Sequence, residues 1–175
     1  MKRSLMMAAA LTAVLVLALA APVTAKKGGT DRPIKGDVTG TSEVSGAAPT
    51  FAVDSHGMGQ ISHLGRTHSD MTTSQTWGAD GADLCPGSSI VADVTGNVTF
   101  TAANGDELDA VVGGYVCETA PFNDTAYAAN LALTFAGGTG RFADASGSAS
   151  LVGTSVWDTG AMFLDSGTLN GAISY

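Results

Sequence analysis

The chain has 175 residues, 45% of them hydrophobic, and 16 acidic against eight basic side chains set its net charge at −8. Four of the basic residues (Lys26, Lys27, Arg32 and Lys35) crowd one short stretch, and beyond Lys35 only Arg66 and Arg141 remain. A body this acidic repels phosphate backbones and anionic headgroups, which excludes nucleic acid and acidic membrane surfaces as partners.

Residues 1–25 read as a signal peptide. Lys2 and Arg3 form a positive start, Leu5 to Ala20 is an uncharged apolar run, and Val23-Thr24-Ala25 offers a small-residue cleavage site. A run of about 17 residues is also the low end of a membrane span, but the cleavage site that follows it favours removal. No other segment could cross a bilayer as a helix, so a secreted, extracytoplasmic protein is expected. Cleavage of 25 residues leaves 150, with six basic and 16 acidic side chains and a net charge of −10. Residues 26–33 are expected to be a flexible basic tail, and residues 34–175 a single domain able to bury roughly two thirds of its surface.

That domain lacks helical periodicity and carries period-two alternation instead. Ile34 to Val44, Thr50 to Asp54, Gly57 to Leu64 and Thr67 to Trp77 are expected strands. Along Ser89 to Thr101, Ile90, Ala92, Val94, Gly96, Val98 and Phe100 share one side and mostly polar residues the other. Ala103-Asn104-Gly105-Asp106 is a hairpin signal, because Asn and Gly accept positive φ. Glu107 to Cys117 returns with Leu108, Ala110, Val112, Gly114 and Val116 on one face. Tyr127 to Phe135, Gly147 to Trp157 and Thr168 to Tyr175 complete the set, all three with odd-numbered apolar faces. About eight short-connected strands in 150 residues make either a closed antiparallel barrel or a two-sheet sandwich. The 23 glycines favour the barrel, since closure needs tight bends and close strand contacts.

Cys85, in the long loop Gly78 to Ser88, and Cys117 are the only cysteines. In an exported chain an even count points to a disulfide; a pair of free thiols, one of them a nucleophile, is the alternative.

The segment Gly137-Gly138-Thr139-Gly140-Arg141-Phe142, followed by Ala145-x-Gly147 and a strand, resembles a motif of the barrel superfamily of allene oxide cyclases and dirigent proteins. Ser62-His63-Leu64-Gly65-Arg66-Thr67 and Ala103-Asn104-Gly105-Asp106-Glu107-Leu108 are similar to stretches of its bacterial exported members. The resemblance implies an eight-stranded antiparallel β-barrel with a largely apolar cavity. It also implies a chemistry of confinement, in which a reactive guest is held without metal or organic cofactor. The family's catalytic carboxylates match no position here, so the matching pieces are corners that build a barrel.

Several residues are candidates for more than architecture. Gly138-x-Gly140-x-x-Ala143 mimics a dinucleotide fingerprint, but a small-residue strand follows where that motif needs a helix. His56, His63 and His68, near Asp54 and Asp70, lack a recognised metal-ligand spacing, so no metal is expected, and His63 and Arg66 are read as braces of a strand end. Arg66 and Arg141 either pin turns or recognise a ligand carboxylate. Trp77 and Trp157 pack in the core or line a cavity mouth. Glu43 and Glu118 are candidates for an inward carboxylate able to act as acid or base. The expected function is binding of a small apolar or amphipathic ligand without turnover. The alternatives are a cofactor-free cyclase or isomerase, and a structural or surface protein whose barrel is plugged by its own side chains.

Overall fold

Alternation along the sequence becomes eight long antiparallel strands in the computed structural model, which describes residues 29–79, 83–88, 91–119 and 125–175. They are β1 (Arg32–Ala47), β2 (Thr50–Ile61), β3 (Gly65–Ala79), β4 (Val91–Ala102), β5 (Glu107–Glu118), β6 (Ala126–Gly138), β7 (Ser146–Thr159) and β8 (Met162–Ser174). Each strand pairs with its neighbours in sequence, and β8 returns to pair with β1 from Arg32↔Ile173 to Glu43↔Met162. The sheet is therefore a closed barrel, not a sandwich. No α-helix occurs among the described residues, and residues 1–25, expected to be a signal peptide, lie outside them.

Side-chain direction follows the expected phases. Even positions of β4 and β5 and odd positions of β6, β7 and β8 point inward, so Phe100, Leu108, Val112, Leu133, Phe135, Leu169 and Ile173 meet in one core. The N-terminal half departs from expectation. Thr50 to Asp54 and Gly57 to Leu64 are not two strands; Thr50–Ile61 is one, paired along its length with β1 and β3. Its inward positions Ser55, Gly57 and Gly59 carry too little side chain to show an apolar rhythm, yet backbone pairing on both edges keeps it extended.

One end of the barrel is filled. Ile34, Ile61, Leu64, Phe100, Leu108, Phe142 and Ile173 are almost fully buried there. The corner between β6 and β7 caps this end. Its only helical piece is a 3-10 turn, Gly140–Phe142, after which the chain goes straight into β7, so the dinucleotide-like glycines open no helix. Glycine is required at Gly138, where a Cβ would collide with the Glu107 carbonyl, and at Gly140, where φ is +56° and a Cβ would collide with the Asp106 carboxylate. The backbone N–H of Thr139 donates to Glu107 O at 2.9 Å, and the Glu107 N–H donates to the Thr139 hydroxyl at 2.9 Å. Arg141 completes the cap: its Nε lies 3.5 Å from Asp106 and its guanidinium stacks 4.8 Å over the Phe142 ring.

Cys85 and Cys117 form a disulfide on the outer face of β5, with Cα atoms 5.6 Å apart. With Val91 they make a small cluster separate from the barrel core, against which Tyr115 packs. The bridge ties the β3–β4 loop down to the outside of the barrel wall.

Candidate functional site

The opposite end of the barrel is hollow. A cavity of about 670 Å³ opens there, next to the β1–β2 turn at Ala48 and the β7–β8 turn at Gly160. Its depth is walled by Val38, Val53, Met71, Val98, Leu131 and Leu151. Inward glycines make the space: Gly40, Gly57, Gly153 and Gly167 line it and contribute no bulk. The strand phases that bury large residues at the capped end therefore place small ones here.

Aromatic rings surround the opening. Trp77, Tyr127 and Phe163 form an edge-to-face chain with centroid separations of 5.5 and 5.7 Å. Phe51 and Trp157 also line the cavity. Trp157 is 47% exposed, and its indole N–H donates to Gly160 O at 3.0 Å, which fixes the ring at the β7–β8 turn. Both tryptophans singled out in the sequence thus lie on the cavity wall rather than in the filled core.

Two carboxylates face this apolar space. Glu118 continues the inward even phase of β5 and lines the cavity, whereas Glu43 occupies an odd position of β1 and is exposed on the outer face. The second inward carboxylate is Asp165 on β8, which sequence reasoning missed. The Ser155 hydroxyl donates to it at 2.6 Å, and Ser42 also hydrogen-bonds to it. Burial pushes the Asp165 carboxyl above the ordinary aspartate range, against the lowering effect of the two serine hydroxyls. A signal for it existed. Extending the odd phase of Leu169, Gly171 and Ile173 backward gives Gly167, Asp165 and Phe163, all of which line the cavity. The turn-like composition of Asp158 to Gly167 hid it, because β8 begins at Met162 and not at Thr168.

The remaining candidates lie away from the cavity. His63 sits in the β2–β3 turn at the capped end with φ +70°, and its Nε2 donates to Pro33 O at 3.0 Å. Arg66 is exposed at an outward position of β3, opposite Gln60. Arg141 belongs to the cap. His56 borders the cavity along β2, but its ring points outward to Asp70, 2.7 Å away and solvent-exposed. Among the described residues no three His, Cys, Asp or Glu side chains converge as metal ligands would, and no lysine or arginine lines the cavity.

Fold and site together define a class: a closed eight-stranded barrel, capped at one end and hollow at the other, with an aromatic mouth and two inward carboxylates. Comparison with protein-family models, with curated proteins and with solved structures finds no match to this chain.

Proposed function

We propose that this protein is an exported barrel that holds a small apolar or amphipathic molecule in its cavity without turning it over. The observation that carries this reading is the cavity itself. About 670 Å³ of space with an apolar wall and an aromatic rim has the size and chemistry of a small-molecule site. A barrel serving only as structure would gain from filling that volume, as the capped end does. Native mass spectrometry of protein purified from its own host tests the reading. A retained small molecule, lost in an Ala129→Phe variant that blocks the cavity, is the expected result. A bare polypeptide mass together with no uptake of apolar probes overturns it.

The glycine corner supports kinship with the allene oxide cyclase and dirigent barrels. Its residues build the cap that such a barrel needs, and the chain's eight strands close as that kinship implies. The disulfide supports export, since such bonds persist in oxidising compartments. Sequencing the secreted protein from its N-terminus should then begin at Lys26.

One observation favours a second reading, a cofactor-free isomerase. Asp165 keeps its proton to higher pH than an exposed aspartate, and it faces the space where a guest would lie. Turnover of a retained guest by the native protein, abolished in Asp165→Asn, would establish it.

A further inference from the structure

Binding in the cavity narrows to a chemical class once the charge of its wall is considered. Every ionisable side chain directed into it is acidic. Asp165 and Glu118 face the space, no lysine or arginine does so among the described residues, and the His56 ring is turned out to Asp70. A guest carrying a carboxylate or phosphate would meet like charge in a medium of low dielectric, with no cation to offset it. The wall therefore disfavours such guests.

A cationic group meets the opposite situation. Asp165 holds hydrogen bonds from Ser155 and Ser42, so its position is set before any guest arrives. It lies one inward-facing step deeper than Phe163 on β8, and its β7 partner Ser155 lies one such step deeper than Trp157. The carboxylate therefore stands just below a collar of rings, Trp77, Tyr127, Trp157 and Phe163. Ring faces attract cations, tryptophan most strongly, and the attraction grows where water is excluded. Below this level the wall turns apolar at Leu131, Leu151 and Val98 until the filled core stops it. From Ser155 to Leu151 is four residues, which gives the tail roughly 10 Å of depth after allowing for strand tilt.

We propose that the barrel takes a cationic amphiphile, an apolar body bearing one ammonium group, with the ammonium seated between the Asp165 carboxylate and the aromatic collar. This rests on the cavity being a ligand site. The experiment therefore compares three probes of equal length: octylamine, 1-octanol and octanoate, titrated at neutral pH by calorimetry. Quenching of tryptophan emission gives a second readout, since Trp77 and Trp157 are the only tryptophans and both line the cavity. Octylamine should bind at least about tenfold more tightly than octanol, and octanoate most weakly. Asp165→Asn, which retains an acceptor for Ser155, should bring octylamine down to the octanol value and leave octanol within about twofold. Asp165→Ala, which opens no packed region, should do the same. Octanoate binding as tightly as octylamine, or an amine preference that survives both substitutions, overturns the proposal while leaving the cavity as a site. Failure of all three probes to bind overturns both.

Discussion

At the scale of single residues, Asp165 carries the clearest consequence. Burial raises its carboxyl above 3.8, so the folded protein binds this proton more tightly than the unfolded chain does. The resulting contribution to stability is complete below pH 3.8 and is lost as the pH rises through the folded-state value. Asp165→Asn removes that loss. Urea midpoints should place the variant above the wild type at pH 7, with the gain disappearing toward pH 3; taking the difference cancels the protein's other carboxylates. A gain that ignores pH would mean the carboxyl is not desolvated. Glycine offers a second residue-scale test. Gly65 has φ +77° with open space around it, so Gly65→Ala should cost only the left-handed strain, about 1–2 kcal/mol. Gly138→Ala adds a collision with the Glu107 backbone and should cost about 3 kcal/mol or more by equilibrium unfolding.

At the scale of elements, legibility tracked the size of inward side chains. β4, β5 and β6 could be read from the sequence because Phe100, Leu108, Val112, Leu133 and Phe135 fill the capped end and mark every second position. β2 could be read only as two broken pieces and the start of β8 not at all, since Ser55, Gly57, Asp165 and Gly167 face a hollow that asks for no bulk. The same cause hid half of the site. Trp77 and Trp157 stood out as large aromatics, and Glu118 was one of two candidate carboxylates, the other of which, Glu43, faces outward. Asp165, Ser155 and Ser42 resembled surface residues, because a cavity and a surface select similar side chains. The disulfide acts on a different element, the β3–β4 loop. Replacing Cys85 and Cys117 by serine frees a 32-residue segment in the unfolded chain and should lower stability by roughly 3–4 kcal/mol. The bridge lies on the outer face, outside the cavity lining. Probe binding by the fraction that remains folded should therefore be unchanged, and a loss of affinity would show that the loop shapes the mouth.

At the scale of the whole molecule, one closed sheet serves two ends with opposite demands. Pairing of β8 with β1 removes the free edges that would otherwise invite strand addition, so neither end has to guard an edge. The capped end can then specialise in packing and the open end in space. Leu133 and Leu151 put this division to the test, because they lie on adjacent strands with the same residue type. Leu133 is 1% exposed within the filled core, and its truncation to alanine leaves a new void there, at a cost of about 2–5 kcal/mol. Leu151 faces space that already exists, so Leu151→Ala enlarges an old void and should cost only about 1–2 kcal/mol. Binding should respond in the reverse order. Leu151→Ala removes part of the apolar wall and weakens retention of an eight-carbon probe, while Leu133→Ala leaves it unchanged in the folded protein. Equal unfolding costs for the two variants would mean that the open end is packed in solution as tightly as the capped one. The barrel would then have no room for a guest, and its aromatic rim would be only the end of a core.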